Sequence, residues 1–283
     1  MNRKSLIRQI QQKQSYLIVG LDTDFEKIPA KYRSHAEYSG IYYFNKDIID
    51  ATSAYAVGYK LNLAFYEAYG IPGMQCFVKT VEYLKTNYPD MLVIADAKRN
   101  DIGNTAAMYA KAFFERYNAD AITVNPYMGK DSVNPFLKYE NKWTILLALT
   151  SNSGAEDFQF HGGCSGAFCQ PNLNPLYIEV IKKAISWGSV ENTMFVIGGT
   201  QPQYINIVRQ IASQHFLLIP GIGAQGGSLE EVSKHGLIDD FGLLVNSSRN
   251  IIFASNGDNF AAAAAVEAQK VQQEMAVYLS KYC

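Results

Sequence analysis

An α/β fold, the (β/α)8 TIM barrel, formed as a single domain over residues 1–283, is the architecture that this sequence predicts. Three observations lead there. Short apolar runs recur eight times, each followed by room for a helix, the spacing of βαβ units around a parallel sheet. Polar or charged residues recur where these runs end, as they must if all strands open onto one mouth. No GxGxxG follows the first run, which makes a doubly wound open sheet the second choice.

The elements follow in order. After a polar first helix, residues 16–22 form an apolar run that ends in Asp22. A helical pattern with Phe44, Ile48 and Ile49 on one side leads to a second run, 56–60, that ends in Lys60. Phe77, Val81 and Leu84 have helical spacing, and the Asn-Tyr-Pro-Asp segment at 87–90 breaks that helix. The third run, 91–95, is continuously apolar, the character of a strand buried on both faces. It then delivers Asp96, Lys98 and Asp101 within six residues. Strand alternation directs Asp96 and Lys98 to the same face, so they are expected to meet. Asp101 lies beyond the strand, in a turn before Gly103, and can serve its own site or a neighbour's. A solvated loop with incidental ion pairs is the plainer reading of these charges, and the buried strand leading into them argues against it.

The remaining runs are 121–125, 144–149, 194–198, 216–220 and 241–245. Between the fifth and sixth lies an insertion at about 151–174, rich in Gly, Ser, Asn and Cys, with the length of a lid or binding loop or of a decorative insertion. Residues 260–282 have high helix propensity and are expected to close the fold. No linker divides the chain.

Composition narrows the function. Lys+Arg 25 against Asp+Glu 26 leaves a formal charge of -1, no footprint for nucleic acid or an anionic membrane, so a small-molecule partner is expected. Cys76, Cys164, Cys169 and Cys283 form no CxxC pair, and His35, His161, His215 and His235 show no ligand spacing. Reduced thiols and no metal site follow as expectations. The basic N-terminus lacks an apolar core, and no run approaches a membrane span, so the chain is read as soluble and cytoplasmic.

A phosphate site is expected at the loops after the seventh and eighth runs. The turn Pro220, Gly221, Ile222, Gly223 comes off the seventh run, continues through Gln225 and leads into a helix start at Leu229. Glycines let backbone N–H groups approach an anion, and the helix N-terminus adds partial positive charge. Arg249 follows the eighth run, and loops seven and eight are where barrels bind phosphate. Plain turn chemistry is the alternative.

Taken together, Asp96-x-Lys98-x-x-Asp101-Ile102-Gly103-Asn104-Thr105 resembles the signature of the orotidine 5'-phosphate decarboxylase family. The resemblance extends over nearly the whole chain, through Leu21-Asp22, Lys60-Leu61-Asn62, Ser151, the turn at Gly221 and Arg249; the length and residues 59–70 match the longer subgroup. It implies a lyase that converts orotidine 5'-phosphate to UMP and carbon dioxide in de novo pyrimidine biosynthesis, a homodimer with shared active sites that needs no cofactor or metal. It also implies roles. Asp22 and Lys60 would bind the ribose hydroxyls, with Asn62 among the binding residues, and Asp96 and Lys98 would sit at the reacting carbon. Asp101 and Thr105 would come from the partner subunit. Ser151 would hold the pyrimidine edge, and Gly221, Gly223, Gln225 and Arg249 would take the phosphate.

Two rivals remain. Sugar-phosphate decarboxylases and aldol-type synthases of the same superfamily share an Asp-x-Lys-x-x-Asp motif but use a divalent metal, which a cation at Lys60 opposes. A non-catalytic phosphoribosyl binder on the same scaffold would have no use for the Asp-Lys-Asp array.

Overall fold

The eight apolar runs pair edge to edge into a closed parallel barrel in which each strand is bonded to the next along the chain. They are β1 (Leu17–Gly20), β2 (Gly58–Asn62), β3 (Leu92–Arg99), β4 (Ala121–Val124), β5 (Trp143–Leu149), β6 (Thr193–Ile197), β7 (Phe216–Ile219) and β8 (Leu243–Ser247). The seam closes where β8 returns to β1, Leu17 opposite Val245 and Val19 opposite Ser247. Closure leaves no open edge, and both faces of the wall are covered, which is why the strands read as unbroken apolar runs. This computed structural model describes residues 1–35, 38–162, 164–165, 168–169, 173–199, 203–222 and 227–283.

Helix α1 (Arg3–Lys13) precedes the first strand. A helix then follows each strand: α2 (Gly40–Thr52), α3 (Gly70–Asn87), α4 (Gly103–Lys111), α5 (Lys130–Leu137), α6 (Leu176–Ile185), α7 (Gln203–Ile211), α8 (Leu229–Gly236) and α9 (Phe260–Tyr282). Their starts obey local chemistry. Asn2 caps α1 by accepting from the Ser5 N–H, and Ser228 caps α8 by accepting from Glu231 N–H, with Glu230 and Glu231 in its first turn. Helix α9 buries Phe260, Ala264, Ala268, Met275 and Leu279, one stripe along its length. That stripe meets α2, where the Phe260 and Phe44 rings stack with centroids 5.2 Å apart.

Most runs shift by a residue or two at their edges, the second from 56–60 to Gly58–Asn62, and two of the shifts have a clear cause. The third strand runs on to Arg99, beyond the apolar run, because its end lines the mouth rather than the core. The eighth begins at Leu243 rather than at residue 241, since Phe241 and Gly242 both hold positive φ, 67° and 64°, and cannot be extended. Within the insertion between β5 and α6 the chain forms a helical turn, Ala155–Phe158, and pairs Cys164–Ser165 with Phe168–Cys169 as antiparallel strands.

The end of the barrel opposite the mouth is held by buried charge. Asp120 is paired with Lys85 and accepts from the Val93 N–H at 2.9 Å. Arg209 donates to four backbone carbonyls, those of Gly236, Ala212, His215 and Gly242. His215 is buried beside them at 6% exposure, and its Nε2 has no partner among the described residues. Burial first, then the charges of Arg3 and Arg209, push its pKa from 6.5 down to about 4. The unfolded chain therefore binds a proton below pH 6.5 that the folded chain refuses until about pH 4, and stability is lost as pH falls through that window. Allowing for solvent screening, the loss is on the order of 2 kcal/mol. In urea titrations at pH 7 and near pH 4.5, His215→Gln should lose visibly less stability on acidification than the parent; an equal loss would assign the acid sensitivity elsewhere.

Candidate active site

At the mouth, four side chains from three strand ends form a line of alternating charge. Lys60 lies on β2, whose Asn62 is in register with Asp96 of β3. Asp22 stands two residues past β1, where the Leu21 N–H still bonds the Lys60 carbonyl at 2.8 Å and so ties the β1 loop to β2. Lys60 Nζ donates to Asp22 Oδ1 at 3.1 Å and to Asp96 Oδ2 at 3.1 Å. Lys98 Nζ donates to the other oxygen of Asp96, Oδ1, at 2.6 Å. Thr123 on β4 fixes the corner: its hydroxyl donates to Asp96 Oδ1 at 2.9 Å and accepts from the Lys98 N–H at 2.9 Å.

Exposure is graded along this line. The Lys60 and Asp96 side chains are 6% and 10% exposed, whereas that of Lys98 is 49% exposed. Burial alone would lower the pKa of Lys60, but Asp22 and Asp96 against it raise it above the ordinary lysine value. Burial alone would raise the Asp96 carboxyl; the ammonium groups of Lys60 and Lys98 outweigh it and hold Asp96 at about 2. Asp96 is thus a fixed carboxylate and Lys60 a fixed cation.

Asp96 and Lys98 do meet, but not by simple alternation. Lys98 has φ of 48°, and the register between β3 and β4 shifts between Ala95 and Arg99. A non-glycine residue in the left-handed region costs roughly 1–2 kcal/mol, and such strain gathers where a side chain must be aimed. Here the Thr123 hydroxyl bonds the Lys98 backbone and helps to hold the irregular turn.

A cleft of about 200 Å³ opens beside this line, lined by Asp22, Lys60, Asn62, Asp96, Pro220, Gly221, Ile222, Asn246, Ser248 and Arg249. Its lining includes Gly221, with φ of 91°, and Arg249, which is exposed and makes no ion pair among the described residues. Gly223 and Gln225 lie outside the described residues. Asp101 and Thr105 do not line the cleft of their own chain; the Asp101 carboxylate accepts from the adjacent Ile102 N–H at 2.7 Å, and Thr105 is exposed on α4. Ser151 stands in the turn after β5, packed so closely on Gly198 that a Cβ there would lie 2.8 Å from the Ser151 nitrogen. A groove of about 730 Å³ along α3 is larger, but none of Asp22, Lys60, Asp96 and Lys98 lines it.

Three residues of this neighbourhood were not singled out from sequence. Thr123 sits inside an apolar run, and its polarity within a buried strand was the available signal. Asn246 carried the same signal on β8. Gln159 belongs to the insertion: its amide accepts from the Thr150 N–H at 2.8 Å and donates to the Thr150 hydroxyl at 2.7 Å, which clamps the turn that presents Ser151.

A closed parallel barrel with alternating charges and an arginine at its strand ends defines a (β/α)8 protein with its candidate site at the mouth. The sequence pattern of the orotidine 5'-phosphate decarboxylase / HUMPS family matches residues 15–265, and the chain belongs to that family. It is 54% identical over 275 residues to an orotidine 5'-phosphate decarboxylase of Phocaeicola vulgatus, covering 97% of this chain and 98% of that one. A protein of the same name from Flavobacterium johnsoniae is 55% identical over 276 residues, covering 98% of this chain and 97% of that one. Among solved structures, Leishmania donovani OMP decarboxylase superposes with a TM-score of 0.78 at 32% identity, covering 98% of this chain and all of the other (100%). Leishmania donovani UMP synthase superposes with a TM-score of 0.78 at 33% identity; 95% of this chain is covered, and it spans 56% of that chain.

The geometry makes Lys60 the member whose loss strands the most charge. Lys60→Ala should cost roughly 3 kcal/mol of folding stability, since it leaves Asp22 and Asp96 facing each other in a site with little water. Urea unfolding at pH 7 measures this, and a cost below about 1 kcal/mol would mean that water readily enters and screens the pair.

Proposed function

We propose that the chain catalyses decarboxylation of orotidine 5'-phosphate to UMP and carbon dioxide, in pyrimidine biosynthesis. The observation that carries this reading is the line Asp22, Lys60, Asp96, Lys98, held by side-chain contacts of 2.6–3.1 Å beside a cleft that Arg249 lines. Membership of the family and the names of the relatives support it.

In this mechanism the bond between C6 and the carboxylate breaks, carbon dioxide leaves, and the electron pair stays on C6 in an sp2 orbital that no ring carbonyl can drain. Lys98 stabilises that charge and delivers the proton to C6; the neutral amine regains one from solvent. A unit charge near 4 Å at an effective dielectric of 20 is worth roughly 4 kcal/mol, or about three decades of rate if realised mainly in the transition state. Asp96 has both oxygens engaged and acts as a fixed anion that aims Lys98. Asp22, Lys60 and Asn62 take the ribose, Ser151 the pyrimidine edge, and Gly221, Gly223, Gln225 and Arg249 the phosphate.

No cofactor or metal enters this scheme. The point between Asp22 and Asp96 where a divalent ion would sit is filled by the Lys60 ammonium. Among the described residues no helix is long and apolar enough to cross a membrane; we place the enzyme in the cytoplasm, with a small-molecule substrate and no nucleic-acid partner. The active unit is a homodimer in which Asp101 and Thr105 complete the partner's site. That neither lines the cleft of its own chain supports this, as do Ile102 and Met108 on the same segment, 54% and 56% exposed.

The direct test follows the ultraviolet absorbance of orotidine 5'-phosphate in the presence of a chelator. Turnover is expected, Lys98→Ala should reduce it by about three decades or more, and a strict need for added Mg²⁺ would favour the metal-dependent branch of the superfamily. The dimer has its own test. Lys98→Ala and Asp101→Ala proteins, each nearly inactive, should on subunit exchange recover about a quarter of parent activity, because half the dimers are mixed and one of their two sites is whole. Demonstrated exchange without recovery would place Asp101 in its own chain's site.

A further inference from the structure

Asn246 has no explanation in the scheme above. It is the penultimate residue of β8, in register with Ile18 across the seam, and 7% exposed. The residues before it, Leu243, Leu244 and Val245, are apolar, and packing alone would be served by another. Its Oδ1 is buried without a hydrogen-bond partner, and among the described residues its amide makes no hydrogen bond. A buried polar atom left unpaired costs about 1–3 kcal/mol, so such a group calls for a reason.

The reason lies with the other atom of the amide, since Oδ1 stays unpaired whether or not a ligand is bound. A Cβ on Gly20 would lie 3.1 Å from Asn246 Oδ1 and 2.8 Å from the Ser248 Cβ, so the missing side chain at Gly20 makes room for the amide. With Oδ1 packed toward Gly20, the group left to meet the cleft is the Nδ2 donor. The residue lines the same cleft as Asp22, Lys60, Gly221 and Arg249. Lys60 already has two carboxylate partners, so Asn246 adds an uncommitted neutral donor to that cleft.

We propose that Asn246 is a further substrate-binding residue, whose Nδ2 donates to a phosphate oxygen of the phosphoribosyl ligand beside Arg249. This rests on the function proposed above. A neutral donor suits that place, since it adds direction to the point charge of Arg249 without another cation near Lys60.

The test compares ligands with and without phosphate. Asn246→Leu keeps the volume and removes the unpaired amide, so its melting temperature should equal or exceed the parent's. Calorimetry should show UMP binding weakened by about tenfold or more, the loss of one hydrogen bond, with uridine binding unchanged. Asn246→Asp, isosteric but anionic, should weaken UMP further and again spare uridine; if the Leu variant fails to fold, this comparison stands alone. Equal losses for UMP and uridine, or no loss for either, overturn the assignment. Parent turnover of orotidine 5'-phosphate reports separately on the proposed function, so the two failures are distinguishable.

Discussion

One buried ammonium organises the mouth of this barrel. Taking Lys60 out of water costs several kcal/mol, and that cost is offset only if partners sit close and at good angles. They do: Asp22 and Asp96 each place a carboxylate oxygen 3.1 Å from the same nitrogen, within hydrogen-bonding geometry. Remove the cation, and two carboxylates confront each other in a site with little water; remove either acid, and the cation is half paired. The line Asp22, Lys60, Asp96, Lys98 is neutral in sum and ordered in sign, which lets four charges share a poorly hydrated place. Its most exposed member, Lys98, is the one placed to act on a ligand.

That arrangement depends on backbone more than on side-chain freedom. The two buried charges rise from adjacent strands whose register is set by the closed sheet, so their separation is built into the wall. Elements, rather than loops, are the precise places to put a site. Lys98 is the exception: its left-handed backbone breaks the strand's regularity, and a threonine from the neighbouring strand bonds it in place. The strain sits where the chemistry is proposed to occur, while the opposite end of the barrel is tied by Arg209 and Asp120.

Much of this was legible beforehand, for identifiable reasons. Eight apolar runs announced the barrel because parallel strands are buried on both faces and cannot hide as mixed patterns. Asp22, Lys60 and Asp96 could be read because charges directly at the ends of such runs have few places to go but the mouth. Thr123 could not, since a threonine in a strand is ordinary and only its partner gives it a role. Nor could the twist at Lys98, because nothing local in Ala97-Lys98-Arg99 demands a positive φ; it is imposed from β4. Nor could the direction of Asp101, which lies beyond the strand end and belongs to assembly rather than to the chain alone.

The seam between β1 and β8 carries a consequence for how the molecule comes into being. The first strand finds one of its two neighbours more than two hundred residues later, at Val245, Asn246 and Ser247, and α9 lies against α2 beside that seam. Loop closure over such a span is slow compared with the local βαβ steps. Until the last strand is made the sheet therefore stays open at both edges, that of β1 among them, a state open to pairing with the wrong chain. Late closure also falls on the strand that brings Asn246 and Arg249 to the cleft, so ligand binding and completion of the fold arrive together.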